Sequence, residues 1–358
     1  MEKHWEQYSP FELSQNDKQL MMLNEMQLIT SLHSDNCIEY KKILASSKFD
    51  LNNVNLVSDF PFLPVRLFKL KELKSVSDDQ IVKTMTSSGT TGQEVSKIFL
   101  DKHTAILQSK ILTKIITSYI GQKRLPMLIL DTEEILKNRN MFSARGAGIL
   151  GFSMFGSKRI YAFDNEMNLK ENELNQFLLE HNGQPILLFG FTFIVYQYFL
   201  KTLETISQHY DLSNAILIHG GGWKKLVNES ISSEQFKSRF KEISGLQNIY
   251  DYYGMVEQTG SIYMECEEGF LHAPVYSDVI IRRPNDFSVA DLNESGLIQV
   301  ISLIPRSYPG HSLLTEDEGV ICGVDDCRCG RKGKYFKVLG RVKMAEIRGC
   351  SDTFEQRN

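Results

Sequence analysis

Three short apolar runs constrain the fold more than any other feature of the chain. Residues 126–131, 186–190 and 215–219 read Pro-Met-Leu-Ile-Leu-Asp, Ile-Leu-Leu-Phe-Gly and Ala-Ile-Leu-Ile-His. Each is too short for an ordinary helix and carries no polar alternation, which is the pattern of a strand buried on both faces. Amphipathic segments separate the runs. Alternating strand and helix predict an α/β fold with a parallel central sheet covered by helices. Farther along, residues 278–282 and 297–301 are two more apolar runs with Gly and Asn between them, which predicts a smaller antiparallel β region.

Between His103 and Ile120 the apolar residues Ile106, Leu107, Ile111, Leu112, Ile115, Ile116, Tyr119 and Ile120 recur at helical spacing and form a stripe that needs a sheet to cover. Residues 18–28 likewise predict a helix with its apolar groups on one face. Pro61 and Pro64 then break helix and predict an extended segment crossing the body of the fold. With 358 residues, 42% of them hydrophobic, the chain can fill a substantial core. A net charge of −4 from interspersed acids and bases leaves no basic field to attract nucleic acid or an anionic membrane. The longest apolar stretch, 185–200, falls short of the about 20 residues that a bilayer requires. It also contains Gly190 and Gln197, so it predicts a buried segment and no membrane span. The N-terminus lacks the apolar centre of an export signal, and the expected location is the cytoplasm. There the six cysteines read as metal ligands or reactive thiols rather than as a disulfide framework.

The run Thr86-Ser87-Ser88-Gly89-Thr90-Thr91-Gly92 has no aliphatic side chain. Its glycines permit close backbone approach, and its hydroxyls and amides offer many donors to clustered oxygens, so phosphate is the expected guest. Lys97 opens the following apolar segment and would put a cation beside that anion site. The bland alternative is a Ser/Gly surface loop; no Gly-Lys-Ser/Thr closes it as in a Walker loop. A second glycine cluster, Gly220, Gly221 and Gly222, ends the third apolar run. It suits either a flat ligand lying on backbone or a tight strand-to-helix turn. Cys266, His272, Cys327 and Cys329 could supply three thiolates and an imidazole, a complete tetrahedral shell for structural Zn²⁺, with Cys322 as the competing fourth ligand.

The first of these loops resembles the phosphate-binding signature of the adenylate-forming ligases, Ser/Thr-Gly-Thr-Thr-Gly followed by Lys, although Val95-Ser96 stand where that family carries proline before the lysine. Tyr253-Gly254-Met255-Val256-Glu257 resembles the family's Tyr-Gly-x-Thr-Glu motif, with Val256 in the threonine's place. The resemblance implies ATP and Mg²⁺ as cofactors. It gives Glu257 the approach to the metal, with Lys97 beside the phosphates. Leu314-Thr315-Glu316-Asp317-Glu318-Gly319 is similar to the segment whose aspartate holds the ribose hydroxyls, here Asp317, and Leu339-Gly340-Arg341 is similar to the Gly-Arg hinge that contacts the nucleotide, with Lys343 at the hinge position.

The closest resemblance is to the shorter acyl-protein synthetases of bacterial bioluminescence, the long-chain fatty acid–luciferin component ligases. It rests on Phe189-Gly190-Phe191-Thr192, His219-Gly220-Gly221-Gly222-Trp223-Lys224-Lys225, Tyr253 to Gly260, and Arg348-Gly349-Cys350-Ser351-Asp352. It implies that residues 1–340 form the catalytic domain of an adenylate-forming enzyme without the C-terminal lid domain. Residues 341–358 would be a hinge-like tail carrying the acceptor, Cys350. The implied activity is activation of a fatty acid as acyl-AMP and its transfer to Cys350, with acyl-reductase and acyl-transferase proteins as partners. Two rival readings are a phenylacetate-type acyl-CoA ligase, in which CoA replaces Cys350, and a nucleotide-binding scaffold without catalysis.

Overall fold

The computed structural model describes residues 4–87, 95–136, 144–223 and 231–342. The strands in chain order are β1 (Leu63–Pro64), β2 (Ile81–Thr86), β3 (Lys97–Asp101), β4 (Leu125–Thr132), β5 (Gly156–Phe163), β6 (Ile186–Phe191) and β7 (Ala215–Gly220). Then follow β8 (Asn248–Tyr253), β9 (Tyr263–Glu265), β10 (Leu271–His272), β11 (Ser277–Arg282), β12 (Ser295–Ser302), β13 (Ser312–Val324) and β14 (Lys334–Arg341). The three apolar runs are β4, β6 and β7, adjacent and parallel as expected, with β5 and β8 extending the parallel half on either side. From β8 onward the same sheet turns antiparallel in the order β9, β10, β14, β13, β12, β11. The β1 segment containing Pro64 adds to β13, so the proline-bearing stretch is extended, as expected. β2 and β3 form a separate antiparallel hairpin.

Period-two alternation sorts the parallel strands' side chains onto two covered faces. Leu187, Phe189 and Ile218 pack with Leu107, Ile111, Ile115 and Ile116 of the helix Lys102–Ile120. Leu188, Ala215 and Leu217 face the helices Glu171–Glu180 and Ser233–Ser244 through Phe177, Phe236 and Phe240. A third cluster, with Leu63, Val279, Ile298 and Phe336, fills the antiparallel half. The stretch 185–200 is strand and then helix, buried at most positions.

The N-terminal helix Gln15–Asn36 forms where expected but with a different inner face. Leu20 and Leu28 are 69% and 62% exposed, while the buried stripe is Lys18, Met22, Met26, Ile29, Thr30 and His33. In the later helix Ile106 is also exposed. The cause at the N-terminal helix is a buried charge centre. Lys18 Nζ donates to Asp278 Oδ1 and to Ala273 O, both at 3.2 Å. Asp278 Oδ2 accepts from Gln19 Nε2 at 2.7 Å, Lys334 Nζ at 2.9 Å and Gln15 Nε2 at 3.1 Å. Burial alone would raise the Asp278 carboxyl, but Lys18 and Lys334 hold it down at about 2. One carboxylate thus ties the N-terminal helix to β11 and β14. Asp278→Ala leaves two lysines without their counter-charge and is expected to cost about 3–5 kcal/mol in urea unfolding; a loss below about 1 kcal/mol would contradict this role.

Candidate active site

The candidate phosphate loop leaves β2 and re-enters β3, with Thr86 opposite Lys97. Its base is closed by two hydrogen bonds: Ser87 N–H donates to Ser96 O at 3.1 Å, and Ser96 N–H donates to Ser87 Oγ at 2.9 Å. Ser88, Gly89, Thr90, Thr91 and Gly92 lie outside the described residues. Along β3, Ile98, Phe99 and Leu100 are all buried, and Lys97 at its start is half-exposed, 3.4 Å from Glu72. The loop's cation therefore stands at the expected end of the hairpin, already beside a carboxylate.

Glu257 sits in the single turn Val256–Gln258 that follows β8, and it is buried. Burial raises its carboxyl above the usual carboxylate range, opposed by the Ser96 hydroxyl and by the charges of Lys69 and Arg341. Ser96 belongs to the hairpin's exit, so the turn and the candidate phosphate loop, far apart in sequence, meet in space. The turn is held from below: Tyr308 Oη donates to Glu257 O at 3.0 Å, and Gln258 Nε2 donates to Gly310 O at 2.8 Å and to Val300 O at 3.2 Å.

Three more expected residues converge. Tyr253, last in β8, donates its hydroxyl to Asp317 Oδ2 at 2.7 Å, and Asp317 pairs across the ladder with Arg341, whose Nε is 3.6 Å from Asp317 Oδ1. Among the neighbouring acids Glu316, Asp317 and Glu318, it is Asp317 that meets Tyr253. Burial, and then the charge of Asp317, push the Tyr253 phenol well above its ordinary range, so it stays a donor. Gly254 follows with only 3.1 Å between an added Cβ and Ile262.

At the glycine triplet the chain bends as β7 ends, with Gly221 and Gly222 both at positive φ. A Cβ on Gly220 would lie 2.6 Å from the Tyr252 ring, and one on Gly221, at φ 84°, 2.7 Å from Phe191. Gly222, at φ 67°, faces open space. The turn thereby rests on aromatic rings: Phe152 stacks on Phe189 at 4.0 Å and lies 5.3 Å from Tyr252. The sequence reading gave no role to Thr192 or Asp251. Both join His219 at the carboxyl ends of adjacent parallel strands, with His219 Nδ1 3.0 Å from Thr192 Oγ1 and 3.6 Å from Asp251 Oδ1. Burial pushes His219 down to about 3, so its imidazole is neutral near pH 7, and desolvation and the neighbouring Glu265 push the half-exposed Asp251 carboxyl up. The available signal was positional, a polar side chain at or near the end of each of three neighbouring strands.

Cys266, His272, Cys327 and Cys329 come together with all four ligand atoms within 4.8 Å of one another. Cys266 Sγ and Cys327 Sγ are 3.9 Å apart, and Cys329 Sγ is 3.4 Å from His272 Nε2. Zn–S and Zn–N bonds of about 2.3 and 2.0–2.1 Å give tetrahedral edges of about 3.8 Å between sulfurs and about 3.6 Å between sulfur and nitrogen. The donor set thus fits Zn²⁺. Cys322 is not the fourth ligand; its thiol lies along β13, 3.7 Å from Val320 O.

The family model described as acyl-protein synthetase, LuxE, matches residues 6–358. The chain belongs to the acyl-protein synthetase family. It is 23% identical to a long-chain-fatty-acid–luciferin-component ligase of Vibrio harveyi over 314 residues, which cover 84% of this chain and 78% of the relative. It is 22% identical to the ligase of the same name from Aliivibrio fischeri over 309 residues, covering 84% and 79%. In fold it is similar to 2-hydroxyisobutyryl-CoA ligase in the postadenylation state, with a TM-score of 0.72 at 13% identity over 95% of this chain and 75% of that one. An open conformation of that ligase gives a TM-score of 0.70 at 14% identity, covering 95% of this chain and 83% of that one. As a member of its family the chain is an ATP-dependent ligase with the adenylate-forming fold. Among the described residues no helix is long and apolar enough to cross a membrane.

The raised Glu257 carboxyl has a consequence for stability. Where the folded state raises a carboxyl pKa, stability is highest while the group is protonated and is lost as pH climbs through the ordinary value to the raised one. Glu257→Gln removes that loss, so the variant's melting temperature relative to the wild type is expected to increase from pH 4 to pH 8. Thermal unfolding across this range checks it; a variant less stable than wild type at pH 8 would contradict the burial argument.

Proposed function

We propose that this chain uses ATP and Mg²⁺ to activate a long-chain fatty acid as acyl-AMP, and that it then acylates its own Cys350 for delivery to an acyl-reductase partner. An acyl-transferase would supply the acid, and the cytoplasm would supply the ATP. The observation that carries this reading is the convergence of Tyr253, Asp317 and Arg341 with the buried Glu257 beside the Ser87–Ser96 closure of the glycine-threonine loop. Membership of the acyl-protein synthetase family and relatives named as long-chain fatty acid ligases support the substrate class.

In the first half-reaction the fatty carboxylate attacks the α-phosphorus and pyrophosphate leaves. The backbone amides of Gly89 to Gly92, with Ser87, Ser88, Thr90 and Thr91, would hold the phosphates, and Lys97 would exchange Glu72 for them. Bound Mg²⁺ would neutralise the triphosphate oxygens, with Glu257 as its protein carboxylate. Asp317 would accept from the ribose hydroxyls and Arg341 would contact the nucleotide, while Gly222 leaves room for the flat base beside the Gly220–Gly221 turn. In the second half-reaction the Cys350 thiolate attacks the acyl carbonyl, the bond to phosphate breaks and AMP leaves, giving a thioester that remains reactive toward a further acceptor. Residues 1–340 would form the catalytic domain and 341–358 the tail that delivers Cys350. Cys350 and Lys343 lie outside the described residues. Zn²⁺ on Cys266, His272, Cys327 and Cys329 would be structural, since four protein ligands leave no open position.

Cys350→Ser is expected to form acyl-AMP at the wild-type rate yet to retain no hydroxylamine-labile acyl label, because a serine hydroxyl without a dedicated base does not replace a thiolate. Radiolabelled fatty acid with acid precipitation measures both. Equal labile label on the variant, or label only on added CoA, would instead support the acyl-CoA ligase reading.

A further inference from the structure

The two halves of the sheet are joined by a narrow seam. β9 meets β8 only through Tyr252↔Met264 and Tyr253↔Tyr263, β10 meets β9 through Leu271↔Glu265 and His272↔Met264, and β10 meets β14 through Leu271↔Phe336 and His272↔Tyr335. Between β6 and β7, by contrast, six consecutive pairs are in register. The seam separates Tyr253, at the end of β8, from Asp317 and Arg341 on the β13–β14 hairpin. The hairpin's own ladder is interrupted by register shifts at Glu318/Gly319 and Ile321/Gly323. Seven pairs nonetheless hold β14 on β13 and six more hold β12 on its other edge, so the hairpin is fixed to its own neighbours more firmly than to β9 and β10.

The four metal donors straddle the seam. Cys266 directly follows β9 and His272 ends β10, whereas Cys327 and Cys329 lie in the turn between β13 and β14. His272 is fully buried and stacks on Tyr335 of β14 with ring centres 5.6 Å apart. Phe270 also meets Tyr335 with ring centres 5.0 Å apart, and the Arg331–Glu267 ion pair joins the two loops, but its carboxylate is half-exposed and exposed pairs contribute little. We propose that Zn²⁺ bound by Cys266, His272, Cys327 and Cys329 is a clamp across the seam. It holds the hairpin against β9 and β10 in the position that brings Asp317 to Tyr253, so metal occupancy sets nucleotide affinity at a site the metal does not touch. The strand from Val324 back to Asp317 spans about 23 Å at about 3.3 Å per residue. The proposal rests on the reading of Asp317 and Arg341 as nucleotide contacts.

The test uses the purified full chain, with zinc measured by mass spectrometry and ATP binding measured by calorimetry in the absence of fatty acid. Stripping zinc with a chelator is expected to weaken ATP binding roughly tenfold or more, the scale of one lost charge-assisted contact. Amide protection should be lost across residues 312–341 while β6 and β7 keep theirs, and Zn²⁺ should restore both. Cys329→Ser, at the least buried of the three thiols, should behave as the stripped protein does. Purified protein without zinc overturns the clamp, as does stripped protein that keeps both its ATP affinity and its protection. An Asp317→Asn variant with full zinc separates the two readings: wild-type ATP affinity there would overturn the nucleotide assignment itself and the affinity claim that depends on it.

Discussion

The Tyr253 phenol, donating to Asp317 across 2.7 Å, ties the last parallel strand of this enzyme's candidate site to the β13–β14 hairpin. Tyr253 ends the last parallel strand, and Asp317 sits in a hairpin reached only through two-residue ladders. The bond exists because the phenol is buried deeply enough to stay protonated and Asp317 has Arg341 opposite it to balance the charge. Without that bond the ribose-binding candidate loses its contact with Tyr253, while the Glu257 turn keeps its own hydrogen bonds to Tyr308, Gly310 and Val300. The chemistry of an adenylate-forming enzyme needs both at once, since phosphate and ribose belong to one ligand.

The two halves are stabilised in different ways. The parallel half is a covered sheet with apolar side chains on both faces, and burial of that surface dominates its stability. The antiparallel half has its own apolar cluster and is pinned in addition by polar centres. Asp278 gathers two lysines and two glutamines beneath the N-terminal helix. His33 stacks on His311 at 4.9 Å, with Ser75, Thr30 and Tyr40 as partners, and burial pushes both imidazoles down, so that they are neutral. The cysteine–histidine cluster is the third such polar centre. Directional contacts of this kind specify position more than they add stability, which suits a region that must present side chains at a fixed register.

What could be read from the sequence follows from these differences. β4, β6 and β7 were legible because a strand covered on both faces is apolar throughout, and the helix Lys102–Ile120 because its stripe faces such a sheet. β5 escaped notice because it is an edge strand carrying Lys158 and Arg159, and β9 and β10 because two or three residues make no pattern. The face of the N-terminal helix was misjudged since hydrophobicity does not reveal a helix that buries Lys18, Thr30 and His33. Within the site, composition pointed to the glycine-threonine loop and ligand chemistry to the cysteine-histidine set. Glu257, Asp317 and Arg341 were recognisable only through family motifs. That Asp317 rather than Glu316 or Glu318 meets Tyr253, 64 residues away, depends on a strand register that no local pattern encodes. Cys322 was a fair candidate ligand by spacing and is excluded by that same register.

The most direct measurement of the central claim is exchange of labelled pyrophosphate into ATP by the purified chain. Exchange that requires a long-chain fatty acid and Mg²⁺, proceeds without CoA and disappears in Asp317→Ala is the expected result. A folded, ATP-binding protein that catalyses no exchange with any long-chain fatty acid would contradict it.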